Sequence, residues 1–372
     1  MILTTCAACA APLAHNAPRC VRCKTRYCDA TCQHDHWRRG HKQICKRTHR
    51  GGNAEQYHAD KKYKEAVAEA VEACADDTKG QTCYICTQAL HWKTKEGLVR
   101  GCACRGTAGF AHVSCLAEQA KILVAEGEEN NLYGKVLAER WRRWHNCSLC
   151  KQQHHGVVFC ALGWACWKTY VGRPETDWTR RTAMNLLGSG LHSAKHYEEA
   201  LSVKETELST MRRIGESEEN ILVSQNNLAN TYHELGRFEQ ALSMQRDVYS
   251  GTLKQYGEEH EESLISAVNL STALVDTGNY AEARAFMPDQ VALTKRVLGS
   301  DHIITLDFQW GWARAFTRDV DVTAEQLAEA VANLEKAVKI AQRVLGSEHP
   351  STRNYHRELA AARKSIARRR GA

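Results

Sequence analysis

Cysteine is the residue type in this chain with the most evident capacity for chemistry. The sequence has 372 residues and 17 cysteines, and all 17 lie between Cys6 and Cys166. Thiolates at short, regular spacings bind metal ions, above all zinc. The N-terminal sequence lacks a basic segment followed by an apolar one, so we expect no secretory signal, and a reducing compartment keeps thiols free. The cysteines therefore predict an intracellular metal-binding protein, cytoplasmic or nuclear, that is not secreted.

The first cluster contains eight potential ligands, whose spacing reads C-x2-C-x10-C-x2-C-x4-C-x3-C-x8-H-x3-C. They are Cys6, Cys9, Cys20, Cys23, Cys28, Cys32, His41 and Cys45. A C-x2-C knuckle directs two thiolates to one point, and residues four apart share one face of a helix. Eight ligands fill two tetrahedral zinc sites and leave no open position, which is typical of structural sites. Because forty residues bury little core, we expect zinc to supply the folding energy.

This pattern, with CKTRYCDATCQHDHWRRGHKQIC at its centre, resembles a MYND finger over residues 6–45. The resemblance implies that one zinc ion is held by Cys6, Cys9, Cys28 and Cys32, and the other by Cys20, Cys23, His41 and Cys45. It also implies a protein-interaction module, and in some members a site for short proline-containing peptides. Gln33 and Trp37 match the peptide-contacting positions, although Trp37 could instead only pack the small core. His34 and His36 are off the ligand spacing and are predicted to be surface residues.

The second cluster has its ligands in the order C4HC3. They are Cys83, Cys86, Cys102, Cys104, His112, Cys115, Cys147 and Cys150. One residue separates the third and fourth cysteines and seven precede the histidine, so the cluster resembles a RING-CH finger more than a PHD finger. The resemblance implies one zinc ion on Cys83, Cys86, His112 and Cys115, and a second on Cys102, Cys104, Cys147 and Cys150. The sequence departs from the family in the 31 residues that precede Cys147.

A RING-type domain catalyses without a nucleophile, because it docks a ubiquitin-conjugating enzyme and holds the thioester-linked ubiquitin in a reactive pose. Ile85, inside the first knuckle, matches the apolar docking contact. Lys151, directly after the last ligand, matches a basic residue that hydrogen-bonds ubiquitin and its carrier. The aromatic residue usual after the sixth ligand is absent, as is the proline of the last knuckle. The alternative is a zinc finger that only supports its neighbours.

The C-terminal half contains an internal repeat. Gly215, Gly257, Gly299 and Gly346 recur at intervals of 42, 42 and 47 residues. Units of this length are helix pairs that must stack to bury their apolar faces. The unit NNLANTYHELGRFEQALSMQRDVYSGTLKQYGEEH resembles a tetratricopeptide repeat of the kinesin-light-chain-like kind, which implies binding of peptides or protein segments on a concave face. Asn226 and Asn230 lie where such arrays grip a ligand backbone; hydrogen bonding between helices is the alternative.

These patterns predict a mainly α protein, in which two small cross-braced zinc-finger modules are joined to an α-solenoid. We divide the chain into a MYND-type finger (1–50), a solvated helical linker (51–80), a RING-CH-like finger (81–155), a connecting segment (156–180), tetratricopeptide-like repeats (181–365) and a basic tail (366–372). The longest strongly apolar run has 11 residues, too few for the ~20 of a membrane span. The formal net charge of +7 falls to about +1 once four zinc ions are bound by thiolates, which disfavours nucleic acid as a partner.

Two functional hypotheses follow from the sequence. One is a RING-type ubiquitin ligase that docks a ubiquitin-conjugating enzyme and recruits proteins or peptides through its MYND finger and repeats. The other is a non-catalytic adaptor with the same zinc and interaction modules. The chain has no phosphate-binding loop and no Ser/His/Asp series. It also lacks the N-H-S-C-x-P-N-like stretch that lysine methyltransferases combine with a MYND finger, so we exclude that class.

Overall fold

The computed structural model describes residues 5–11, 13, 16–347 and 349–370. The chain forms two compact units, Met1–Glu216 and Ser217–Ala372. Regular secondary structure in the described residues is helical, apart from three isolated β-bridges that include Val99 with Ala111. The prediction of a mainly α protein is therefore confirmed. None of the described helices is long and apolar enough to cross a membrane.

Eight α-helices form among the described residues of the first unit, joined by loops that carry most of the cysteines. They are α1 (Ala30–His36), α2 (Lys42–Arg50), α3 (Ala54–Ala73), α4 (Val113–Glu129), α5 (Lys135–Trp141), α6 (Gly156–Tyr170), α7 (Trp178–Ser193) and α8 (Tyr197–Ile214). A wider helical turn, Trp37–His41, joins α1 to α2 and bends at Gly40, whose φ of 129° suits glycine. A short 3₁₀ turn, Arg142–Trp144, follows α5.

Helix α6 is the centre of the first unit. It lies in the segment that we expected to be a connection, but eleven of its residues are buried, including Trp164 and Trp167. Helices α3, α4 and α7 all pack against it. Its contact with α7 is backbone to backbone, since a Cβ on Gly190 would lie 2.8 Å from the carbonyl oxygen of Phe159. A helix that is apolar all round needs such enclosure.

Helix α3 differs from the solvated linker that its composition suggests. One face buries Ala59, Tyr63, Ala66, Val67 and Ala70 in the core that contains α6. The ammonium group of Lys168 lies 3.9 Å from the centre of the Tyr63 ring. The prediction of a helix is correct and the prediction that it is solvated is wrong for this face. Alanines at helical spacing allow the close packing of α3 on α6.

The 31 residues before Cys147 form most of α4, then α5 and the turn after it. Trp141 and Trp144 are buried where α5 ends. Their rings lie 5.3 and 5.8 Å from the ring of Tyr170, at the end of α6. The long insertion is therefore a helical hairpin, and its tryptophans pack the second finger against α6.

In the described part of the second unit there are seven helices, arranged as three successive pairs followed by a single helix. They are α9 (Glu218–Glu234), α10 (Phe238–Tyr256), α11 (Glu261–Asp276), α12 (Tyr280–Val297), α13 (Ile303–Arg318), α14 (Ala324–Leu345) and α15 (Pro350–Arg370). His260, His302 and His349 precede α11, α13 and α15, and the Nδ1 atom of each accepts a backbone N–H two residues on. These repeated histidines are thus capping residues.

One buried ion network connects three helices of the second unit. Asp276, at the end of α11, accepts hydrogen bonds from Arg314 and Arg318 of α13 at 2.8 and 2.5 Å. Its other carboxylate oxygen lies 2.8 Å from Nε2 of His233 in α9. The Asp276 side chain is 9% exposed. A buried carboxylate with three partners fixes how consecutive repeats stack.

Candidate metal centres

The structure gathers fourteen of the 17 cysteines and two of the histidines into four clusters, and leaves out Cys74, Cys160 and Cys166. The clusters are Cys6, Cys9, Cys28 and Cys32; Cys20, Cys23, His41 and Cys45; Cys83, Cys86, His112 and Cys115; and Cys102, Cys104, Cys147 and Cys150. In each cluster the four sulfur or nitrogen atoms lie within 4.8 Å of one another. Each cluster therefore takes one ligand pair from each of two separate segments, and the segments of the two clusters in a module alternate along the chain, which is the interleaved arrangement of a cross-braced module.

The spacing within the clusters suits a tetrahedral metal ion. Four donors placed about 2.3 Å from a central zinc ion lie about 3.8 Å from one another. The Sγ atoms of Cys20 and Cys45 are 3.8 Å apart, and so are those of Cys104 and Cys147. The thiols are free, and these separations are far longer than the ~2.05 Å of a disulfide. The donor set fits a soft, four-coordinate ion such as zinc.

The C-x2-C knuckles share one backbone geometry. In each, the residue after the second cysteine has a positive φ and returns its N–H to the carbonyl of the first. Ala10, Lys24, Thr87 and Lys151 take this position, with φ between 60° and 63°. Backbone N–H groups also point at sulfur, as from Ile85 to Cys83 at 3.4 Å. The backbone therefore holds two sulfurs together and polarises one of them.

This polarisation changes the acidity of the thiols. Burial opposes ionisation of Cys6, but backbone N–H groups outweigh it and lower its pKa to about 6. The same opposing effects lower the pKa of Cys150 to about 7, and also lower that of Cys20 and Cys83. A hydrogen bond to a neighbouring thiol raises the pKa of Cys28 to about 11. Each cluster thus has one thiol whose pKa is lowered, and a bound cation would favour the thiolate form of all four ligands.

The two ligand histidines are oriented by their neighbours. His112 turns Nδ1 toward Cys86 and Cys115, at 3.4 and 3.6 Å, while Nε2 lies 3.3 Å from the carbonyl of Ala89. If that carbonyl accepts the Nε2 proton, Nδ1 is free to bind a metal. Burial lowers the pKa of His112 and of His41, which favours the neutral, metal-binding form.

His36 packs against a candidate ligand, a contact that spacing could not identify. It is half-buried, stacks on His41 with ring centres 4.8 Å apart, and its Nδ1 lies 3.0 Å from the Tyr27 hydroxyl. The prediction that it is a surface residue is wrong. His36 sets the orientation of the His41 ring, whose Nε2 lies 3.3 Å from the Cys23 sulfur. A position five residues before the ligand gives no sequence signal for this role.

The candidate peptide contacts of the first finger share one helix face. Gln33 is half-buried, and Trp37, four residues later, is 37% exposed. The indole of Trp37 meets the His41 ring edge-on, with centroids 5.9 Å apart. Trp37 therefore rests on a ligand histidine and also presents surface to solvent.

The candidate docking residues of the second finger lie in two neighbouring knuckles. The hydroxyls of Tyr84 and Ser148 are 2.9 Å apart, which joins the first knuckle to the last. The next residues, Ile85 and Leu149, occupy equivalent knuckle positions; Ile85 is half-buried and Leu149 is 49% exposed. Leu149 is not among the residues predicted from the sequence, although its place in the last knuckle is equivalent to that of Ile85 in the first. Lys151 directs its amine to the carbonyl of Ser148 at 2.8 Å.

Asn226 and Asn230 have different surroundings on α9. The side-chain oxygen of Asn226 accepts hydrogen bonds from Gln245 of α10 and Asn269 of α11, both at 3.0 Å. Asn230 is exposed. Hydrogen bonding between helices therefore occupies the Asn226 oxygen.

Comparison with protein families matches three kinds of module. The MYND finger model matches residues 6–45, and the RING-variant domain model matches residues 83–132, ending before Cys147. Tetratricopeptide repeat models match residues 179–254, 221–289 and 323–351. No curated protein matches the chain.

Several solved structures are similar to the helical part. A putative kinesin light chain from Podosopora anserina, with nearly identical TPR-like repeats, is 22% identical, with a TM-score of 0.42; the match covers 62% of this chain and 97% of that one. BtubC (BKLC) from P. vanneervenii is 12% identical, with a TM-score of 0.44 and coverage of 68% and 83%. The TPR2AB domain of yeast Sti1, in a complex with pHSP90, is 13% identical, with a TM-score of 0.24 and coverage of 67% and 99%. By its family matches, the chain contains a MYND finger, a RING-variant domain and tetratricopeptide repeats.

Proposed function

We propose that the chain binds four zinc ions, one in each Cys/His cluster. The observation that carries this proposal is the set of four donors within 4.8 Å of one another in every cluster. All four sets are complete, which suits structural zinc with no coordination position open for a substrate. The ions would fix the knuckles and supply folding energy, and the chain's own surfaces would then do the binding. Seventeen free cysteines also support an intracellular location.

We propose further that the second finger is a RING-type ubiquitin ligase domain. The contact between Tyr84 and Ser148 supports this, because it places the first and last knuckles side by side. Ile85 and Leu149 would contact an apolar loop of a ubiquitin-conjugating enzyme. The domain would accelerate ubiquitin transfer by positioning the thioester, without a covalent intermediate on this chain. Its MYND finger and repeats would recruit the proteins to be modified.

A specific feature favours the alternative, a non-catalytic zinc-containing adaptor. The helix that follows Cys115 turns Leu116 and Ala120 into the core, so it offers no aromatic residue to a partner. The Lys151 amine is also held by its own knuckle. Under this alternative the second finger is a rigid support, and the MYND finger and repeats alone bind partners.

Discharge of ubiquitin from a panel of conjugating enzymes separates the two functions. Ile85→Ala should keep zinc and lose at most about 2 kcal/mol of apolar contact, or roughly thirtyfold in affinity. Lys151→Ala should leave docking nearly unchanged and slow discharge, because the side chain would first have to leave Ser148. Val136→Ala, which shortens an exposed side chain on α5, is the matched control for Ile85→Ala. A wild-type protein that binds and discharges none of these enzymes is the adaptor.

We also propose that Gln33 and Trp37 bind a short proline-containing peptide. Trp37→Ala should weaken binding of such a peptide to the full chain without releasing zinc. Trp92→Ala removes another exposed indole, 69% exposed and outside the first finger, and should leave binding unchanged. Equal affinity in wild type and Trp37→Ala would show that Trp37 only packs against His41.

A further inference from the structure

A groove in the second unit lies between α9 and α11, over α10. It has a volume of about 320 Å³, and Glu219, Leu222 and Asn226 of α9 face Glu262, Ile265 and Asn269 of α11 across it. We call it the α9–α11 groove. Val223, beside it on α9, is 52% exposed, and Ile265 is 36% exposed. The groove thus offers apolar surface to solvent between two carboxylates.

The two walls of the groove repeat one sequence pattern. Glutamate, an aliphatic residue and asparagine follow one another at the first, fourth and eighth positions, in Glu219-Leu222-Asn226 and again in Glu262-Ile265-Asn269. Residues at this spacing share one face of a helix. A segment lying across both helices would therefore meet the same three groups twice.

Hydrogen bonds close one end of the groove. The Asn269 amide donates to the Asn226 side-chain oxygen at 3.0 Å, and Gln245 of α10 donates to the same oxygen at 3.0 Å. Each asparagine lies seven positions after its glutamate in the helix, and the distance along the helix axis is about 10 Å at 1.5 Å per residue. The groove is long enough for one large side chain, with the carboxylates at the far end.

The charged residues that line the groove are all acidic. No lysine or arginine lines it, and neither Glu219 nor Glu262 forms an ion pair with any residue that the structure describes. Tyr256 also lines the groove, and desolvation together with the neighbouring Glu219 carboxylate raises the pKa of its hydroxyl. Glu218 and Glu261 begin the same two helices and add negative charge. Carboxylates without a cation, beside exposed aliphatic side chains, complement a basic and apolar ligand.

A second groove in the same unit has the opposite charge. It has a volume of about 400 Å³, and Lys295 of α12 and Lys336 of α14 lie on either side of Trp312. No acidic residue lines it, and neither lysine has an ion-pair partner in the described part of the chain. The unit therefore offers two grooves of similar size that differ in sign, so charge can be tested separately from shape.

We propose that the α9–α11 groove binds a protein segment in which arginine or lysine flanks an aliphatic side chain. The aliphatic side chain would lie against Val223 and Ile265, the exposed aliphatic residues that line the groove, and the cation would pair with Glu219 and Glu262. This inference deepens the partner-binding role proposed for the repeats and rests on it. It gives that partner a chemistry, which the repeat pattern alone does not.

Fluorescence anisotropy with full-length, zinc-loaded protein tests the proposal. The probes are three labelled eight-residue peptides with the same two leucines and either four arginines, four glutamines or four glutamates. The arginine peptide should bind most tightly, and added salt should weaken it. Replacing both carboxylates, in Glu219→Gln/Glu262→Gln, should weaken it about tenfold, as expected for the loss of two partly exposed ion pairs.

The matched control is Lys295→Gln/Lys336→Gln, which also removes two charges, from the other groove. It should change the affinity for the arginine peptide less than twofold. The proposal would be overturned if Glu219→Gln/Glu262→Gln left the affinity for the arginine peptide unchanged, or if the two double variants had equal effects. It would also be overturned if the protein preferred the glutamate peptide. The ubiquitin discharge assay needs none of these peptides, so a failure here leaves the ligase proposal to be judged by its own result.

Discussion

Removing metal from the whole chain should unfold the first unit in one step and leave the second unit folded. Helices α1–α8 and α9–α15 contain nearly equal numbers of residues. A chelator should therefore abolish about half of the helical circular dichroism signal. If only the two fingers and α1–α5 depended on metal, the loss would be about a quarter. The size of the loss thus shows how far the influence of the metal sites extends.

The larger loss is expected because α6 is connected to both fingers. The N–H of His155, just before α6, donates to the carbonyl of Gly101 at 2.8 Å, and Gly101 is next to the ligand Cys102. In the first finger, the carbonyl of the ligand Cys23 accepts from Ala54, the first residue of α3, at 2.7 Å. Structural zinc contributes roughly 10–16 kcal/mol per site, as much as the ~5–15 kcal/mol stability of a whole domain. The free energy lost with the ions therefore exceeds the folding stability that α6–α8 could retain.

Circular dichroism during titration with a zinc chelator is the assay, and limited proteolysis identifies the surviving fragment. The fragment should begin near Ser217. Cys104→Ser removes one ligand and should reproduce much of the loss without a chelator. Cys74→Ser, at a half-buried cysteine outside the four clusters, is the matched control and should keep the full signal. A loss of only a quarter, or complete unfolding, would refute the coupling described here.

Three other changes test particular contacts. Gly109→Ala should cost one zinc ion per chain by elemental analysis, because φ is +86° there and a Cβ would lie 2.6 Å from the Cβ of Cys104. Asp276→Asn should lower the thermal midpoint of the second unit, since breaking a buried pair with Arg314 costs about 3–5 kcal/mol. The hydrogen bond to Asp276 raises the pKa of His233, so its stabilisation is complete below the ordinary value of about 6.5 and is lost as pH rises through the folded value. The midpoint of the second unit should fall over that range in the wild type and stay level in His233→Gln.

The sequence predicted the modules because their signals are local. Knuckle cysteines two residues apart, and helical ligands four apart, are brought together by the backbone over a single turn. The repeats are visible in the sequence as glycines that recur at a nearly regular interval, such as Gly257 and Gly299. The family matches confirm both the zinc fingers and the repeats. The pairing between distant segments, such as Cys9 with Cys28, came from the resemblance and not from spacing.

What the sequence could not predict depends on contacts between distant segments. The stretch from Val157 to Trp167 is apolar without a period, so it does not distinguish a connection from a buried helix. Burial on α3 was hidden by its charged residues, because Lys and Glu occupy the opposite face from Tyr63 and Ala66. The stacking of His36 on His41 depends on the bend at Gly40, which no spacing rule contains. For α3 and α6 the contacting residues are distant in sequence, whereas for His36 and His41 the contact depends on a local backbone bend.

The insertion before Cys147 shows why these two kinds of information must be combined. As sequence it is a departure from the RING-CH pattern. In the structure it is the hairpin of α4 and α5, with Trp144 fully buried and packed against Tyr170 of α6. Cys147 and Cys150 follow it directly, so packing on α6 determines where the last knuckle, and with it Leu149, stands relative to Ile85. The insertion therefore positions the proposed docking surface, and a change that loosens Trp144 should misplace that surface even when both metal sites are full.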